Sequence, residues 1–136
     1  MNRYTDMDLA LTKLLLNRIQ ARKGVITYGD CATELSSLLG RKVNAHFGLT
    51  IPLGHVCDLC YKNGVPFLTA LVVYKNDLQH AKTGEGFYKI ACEYRKEYIS
   101  MSPIEAWETE YSKVRKCKDW SSLSAYLERY YYIDRL

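Results

Sequence analysis

The sequence lacks most of the marks of a specialised class. No apolar run approaches the ~18 residues of a membrane-spanning helix. Residues 1–6 have no apolar core of the kind a secretory leader carries, so a soluble, cytoplasmic setting is expected. Three prolines and eight glycines, with no internal repeat and no low-complexity linker, leave no room for a second domain. Histidine is scarce, at three residues. There is no Gly-x-Ser-x-Gly elbow, no papain-like setting for a cysteine and no Gly-Lys-Ser/Thr phosphate loop. A nucleophile triad and a nucleotide cradle are therefore not expected, nor is an enzyme. The five cysteines are an odd number, which with the missing leader favours reduced thiols over a disulfide framework.

What remains is an ordinary globular balance, 48% hydrophobic and 25% charged over 136 residues, enough for one modest core. The aromatic set is tilted towards tyrosine, with 12 Tyr against 3 Phe and 2 Trp. Tyrosine joins an apolar body to a polar tip, which suits either the rim of a core or a binding face. The net charge of +4 is uneven. From Lys13 to Lys75 there are eight Lys or Arg and three acids, whereas from Met101 onward there are six of each sign. A basic N-terminal half is compatible with a polyanionic partner.

Periodicity and caps predict a helix-rich chain. Thr5 and Asp8 form a capping-box pattern ahead of Met7, Leu11, Leu14, Leu15 and Ile19, with Gly24 as the expected stop. Thr27 caps a second helix whose buried stripe is Cys31, Ala32, Leu35, Leu38 and Leu39, closed by Gly40. A basic connector leads to a third helix with Pro52 in its first turn and Asn63-Gly64 at its end. Two helices around a basic connector read as a helix-turn-helix. Residues 67–75, short, apolar and β-branched, read as a central strand. Residues 77–86 read as a loop or wing tip. Residues 87–98 favour a helix over a strand. Ser102, Pro103 and Glu105 open another helix running to about Lys116, and Asp119 to Ser122 start a last short one.

Several motifs carry chemistry in principle. His55-x-Cys57-x-x-Cys60 places two thiols on one helix face, half of a tetrahedral metal site. Cys92, Cys117, His46 and His80 stand isolated, and no His-x-Glu accompanies the pair as a zinc deaminase requires. Core packing of Cys57 and Cys60 is the expectation, with no metal and no cofactor. His80, Lys82 and Glu85 share one loop that reads as polar wing rather than acid–base machinery. Arg22, Lys23, Arg41, Lys42, Asn44, His46 and Lys62 are the main candidates for function. Cations fix phosphates through charge and counterion release, and Asn and Arg also read base edges. The same set is equally compatible with a solvated face around a helix hairpin. Lys75 and Lys82 flank the candidate wing. Lys113, Arg115, Lys116 and Lys118 follow Glu105, Glu108 and Glu110, the order that complements a helix dipole.

The order Val25-Ile26-Thr27-Tyr28-Gly29-Asp30-Cys31-Ala32, a glycine-marked helix end, a basic stretch, Asn63-Gly64-Val65-Pro66 and an apolar run resembles the DNA-binding part of methylated-DNA–cysteine methyltransferases and their alkyltransferase-like relatives. The likeness spans residues 25–73. A second likeness spans residues 24–120. The pattern Gly64-Val65-Pro66-Phe67-Leu68-Thr69-Ala70-Leu71-Val72-Val73-Tyr74-Lys75, then Gly84-Glu85-Gly86-Phe87 and Lys118-Asp119-Trp120, is similar to one in small prokaryotic and phage proteins of uncertain role. Where the alkyltransferases carry their nucleophilic cysteine, this chain reads Thr69-Ala70-Leu71-Val72-Val73, so alkyl transfer has no acceptor. The resemblance implies a DNA-binding scaffold with Tyr28 at the groove edge near a phosphate.

Together these readings predict a single α+β domain, helix-rich and winged-helix-like over residues 24–88, with a C-terminal helical extension over residues 100–136. The expected function is non-enzymatic binding of double-stranded DNA through Tyr28, Arg41, Lys42, Asn44, His46, Lys62, Lys75 and Lys82. The alternative is a phage or mobile-element inhibitor of a host defence protein, of anti-CRISPR or anti-restriction type. It would act through a Tyr-rich surface that includes Tyr126, Tyr130, Tyr131 and Tyr132.

Overall fold

Side chains close in sequence set three of the helix starts. Thr5 Oγ1 accepts from Asp8 N–H at 3.1 Å and Asp8 returns a bond to Thr5 N–H at 2.9 Å, closing a capping box ahead of α1 (Asp6–Gln20). Thr27 caps α2 (Tyr28–Leu39) through Asp30 N–H. Ser102 and Glu105 form a second capping box for α5 (Pro103–Lys116), with Pro103 in its first turn. The computed structural model describes residues 4–45, 48–74 and 85–131, with the backbone alone at 85 and 86. The remaining described elements are β1 (Ile26–Thr27), α3 (Thr50–Lys62), a 3-10 turn (Leu68–Leu71), β2 (Val72–Val73), α4 (Glu85–Tyr94), a second 3-10 turn (Lys96–Ser100) and α6 (Ser121–Tyr130). The chain is thus helix-rich, with one small parallel sheet in which Ile26 faces Val72 and Thr27 faces Val73.

α1 is the hub. It lies against α2, α3, the first 3-10 turn and α6. Neighbours on several sides bury Asp8 to Thr12 and Leu14 to Leu16, a wider set than a single amphipathic stripe. α5 and α6 add Trp107, Val114, Leu123 and Leu127 to the same core. No helix among the described residues is long and apolar enough to cross a membrane.

Two local expectations are corrected. The first helix does not run to Gly24. It stops at Gln20, and Arg22 takes the left-handed conformation that closes it, at φ 60°. The apolar run 67–75 is not a continuous strand. Leu68–Leu71 form the 3-10 turn, and among the described residues of the run only Val72–Val73 pair as a strand. Long-range side chains claim the backbone groups that a strand would have offered to a ladder. Glu110 Oε2 accepts from Phe67 N–H at 2.6 Å, and Trp107 Nε1 donates to Ala70 O at 2.8 Å.

Glu110 is fully buried and anchors a polar cluster inside the core. Tyr98 Oη donates a short hydrogen bond to Oε1. Arg95 Nε approaches the same oxygen at 3.2 Å, an ion pair without hydrogen-bond alignment. The Arg95 guanidinium lies 4.3 Å from the Phe67 ring centroid and donates to Val65 O at 3.3 Å. These contacts join α5 to both 3-10 turns and to the end of α4.

The buried thiols make the fold base-sensitive. Burial pushes Cys57 from 9.0 up to about 12 against an opposing hydrogen bond from Thr69. Burial, with the nearby Glu34 charge, does the same to Cys31, from 9.0 up to about 12. Burial and a carboxylate partner also raise Tyr4, Tyr94 and Tyr98 above the ordinary phenol range. Each group is an acid whose folded pKa exceeds its unfolded one. The unfolded chain therefore loses these protons first as pH rises. The stabilisation from the two thiols is complete below about pH 9 and is lost progressively up to about pH 12. The melting temperature is expected to fall steadily above about pH 9. A flat profile to pH 11 in a thermal-shift series contradicts this.

Candidate nucleic-acid interface

Five of the eight sequence-predicted residues are described, and they stand on different elements. Arg41 and Lys42 are exposed just after Gly40, whose φ of 68° ends α2, and Asn44 is exposed two residues on. Tyr28 sits in the first turn of α2, its ring 4.9 Å from that of Tyr74. Lys62 is exposed but paired on its own helix. Its Nζ lies 3.0 Å from Asp58 Oδ2 and 5.8 Å from the Tyr4 ring centroid. Arg18 is also internal in role, donating to Gly24 O and Val25 O at 2.6 Å each and pinning the α1–β1 connection. His46, Lys75, Lys82 and the loop expected as a wing lie outside the described residues, as do His80, Tyr132 and the side chain of Glu85.

The structure instead joins cations that are nearly a hundred positions apart. A groove of about 950 Å³ runs between the end of α1, the end of α5 and the start of α6. Arg22, Arg115, Lys116 and Lys118 line it, with Asp119 as its one carboxylate. The Asp119 carboxylate is already engaged. It accepts from Ser121 N–H at 3.0 Å and from Ser121 Oγ at 2.5 Å, and these bonds hold it below the usual carboxylate range. Arg115 donates to Tyr111 Oη at 3.1 Å. Among the described residues Arg22, Lys116 and Lys118 have no ion-pair partner. Four cations around one engaged carboxylate form a cleft that concentrates positive potential. The first turn of α6 adds partial positive charge to it. Lys113, by contrast, leans away to Glu97 at 3.6 Å and over the Tyr98 ring.

A second cluster was invisible in the sequence. Asp8, almost wholly buried, holds His55 Nδ1 at 2.8 Å, and the His55 side chain is about half exposed. On the next turn of α3, Asp58 accepts from Tyr4 Oη at 2.5 Å and Tyr94 Oη at 2.8 Å. Burial works to raise the Asp58 carboxyl, but the Tyr4, Tyr94 and Lys62 contacts outweigh it and leave it below the usual range. An Asp–His pair orients an acid–base centre only where a nucleophile stands at the other ring nitrogen. No hydroxyl or thiol nucleophile lies within hydrogen-bond distance of His55 among the described residues. The pair therefore ties the start of α1 to α3.

Cys57 and Cys60 are buried, with Cys57 Sγ 3.0 Å from Thr69 Oγ1, while His55 bonds to Asp8 instead. Among the described residues no three His, Cys, Asp or Glu side chains converge as a metal site. The tyrosines mostly line the rim of the core. Tyr98 is buried, and Tyr4, Tyr28, Tyr88, Tyr94, Tyr111, Tyr126, Tyr130 and Tyr131 pack half-buried against it. Tyr61 and Tyr74 are the exposed ones among those described, at 47% and 46%. Comparison with protein-family models, with curated proteins and with solved structures finds no match to this chain.

Proposed function

We propose that the chain binds double-stranded DNA through backbone phosphates, as a binding protein and not an enzyme, with the groove between α1, α5 and α6 as its seat. The observation that carries this reading is the convergence of Arg22, Arg115, Lys116 and Lys118 on one cleft whose single carboxylate is held by Ser121. Phosphates neutralise such a cleft and release counterions on binding. The exposed Arg41, Lys42 and Asn44 on the α2–α3 connector supply further backbone contacts in this reading. The accompanying fold reading is a winged-helix-like core in which α2 and α3 act as the helix pair. Five free cysteines suit a reducing, cytoplasmic setting.

Fluorescence anisotropy of a labelled random duplex tests the proposal. About four phosphate contacts give a log–log salt slope near −3.6, so affinity should fall roughly 100-fold between about 50 and 200 mM salt. Absence of binding at the lower salt, or binding indifferent to salt, overturns it and turns attention to a protein partner.

A further inference from the structure

Three helices of this fold end on a left-handed residue, and only one of those residues is not glycine. α2 closes with Gly40 at φ 68° and α3 with Gly64 at φ 67°. α1 closes with Arg22 at φ 60°, the one non-glycine residue with positive φ among those described. The hydrogen bonding at α1 and α3 is the same. Lys23 N–H donates to Arg18 O at 3.0 Å and Arg22 N–H to Ile19 O at 2.9 Å; at α3, Val65 N–H donates to Cys60 O at 3.0 Å and Gly64 N–H to Tyr61 O at 3.1 Å. Both ends therefore ask the same of their backbone, and a Cβ at that position crowds the following carbonyl. Folding alone favours glycine there. Arg22 is exposed, lacks an ion-pair partner among the described residues, and adds a fourth cation to a groove already lined by three. Backbone strain and charge repulsion both oppose it.

We infer that Arg22 is a phosphate-contacting residue, kept in a left-handed conformation at the mouth of the groove because binding needs its guanidinium. The ligand is the sugar-phosphate backbone of duplex DNA, so the inference rests on the function proposed above. Strain at a ligand-contacting residue is a known way for a fold to trade stability for binding.

Three proteins test it: the wild type, Arg22→Gly and Arg22→Lys. Arg22→Gly should melt about 2–4 °C higher than wild type. The same variant should bind a random duplex at least about fivefold more weakly, with a salt slope flatter by roughly 0.9. Arg22→Lys should keep the slope and gain no thermal stability. If Arg22→Gly binds with the affinity and slope of the wild type, the inference fails while the function stands. A lower melting temperature for Arg22→Gly also overturns it. If the wild type does not bind duplex at all, both fall together.

Discussion

Replacing Glu110 with alanine should destabilise the fold by about 3–5 kcal/mol, the range for stripping one partner from a buried charged network. The substitution removes three contacts at once. It orphans the Phe67 N–H that Oε2 accepts at 2.6 Å and the Tyr98 hydroxyl, and it leaves the Arg95 guanidinium without its carboxylate. The Phe67 N–H and the Tyr98 hydroxyl have no route to water, because both residues are fully buried. The Arg95 side chain is 22% exposed and regains some hydration, which keeps the loss within that range. Against a total stability of ~5–15 kcal/mol, the variant is expected to be partly unfolded at physiological temperature. Glu110→Gln, which keeps the shape and one acceptor, should lose about half as much. Urea denaturation in the cold reads both. A loss below ~1 kcal/mol for Glu110→Ala contradicts the role given to this cluster.

Reversing two charges in the groove should have the largest effect on binding. Lys116 and Lys118 are exposed at and just beyond the end of α5, so Lys116→Glu/Lys118→Glu touches no core contact. Carboxylates near a helix C-terminus cost ~0.3–1 kcal/mol each, so the protein stays folded. Losing two phosphate contacts flattens the salt slope by about 1.8, and adding two repulsive charges lowers affinity for duplex roughly 100-fold at low salt. Lys89 and Lys96 are exposed on α4 and the second 3-10 turn. The matching double reversal there changes net charge equally and should alter affinity by less than about threefold. Equal losses from the two pairs would mean that net charge, not the groove, governs binding.

Local chemistry made much of this fold legible in the sequence. Thr5 with Asp8, Thr27, and Ser102 with Glu105 announce three helix starts within four residues of each, because a cap is a contact between near neighbours. Gly40 marks the end of α2 in the same way. The end of α1 was misread because a left-handed arginine breaks the rule that the other two ends obey. The strand expected over 67–75 failed for a different reason. Propensity favours extension there, but Glu110 and Trp107, about 40 positions away, take the backbone bonds. In sequence Glu110 reads with Glu105 and Glu108 as the acidic part of a helix-dipole pattern. Its position on the helical stripe of Ala106, Trp107 and Val114 was the available signal that it points inward.

The candidate site was less legible than the fold. In sequence Arg22 belongs to the basic N-terminal set and residues 115–118 to a helix-dipole pattern, and only the packing of α1 beside α5 and α6 makes them one surface. Lys62 shows the converse, a cation that looks available in sequence and is taken up by Asp58.

Backbone amide chemical shifts of the uniformly labelled protein, followed while an unlabelled random duplex is titrated in, test the central claim most directly. The largest shifts are expected at the end of α1, around Gln20 and Arg22, and along the groove from Arg115 to Ser124. Shifts confined to the α3 face around His55, Asp58 and Tyr61, or no shifts at all, would contradict it.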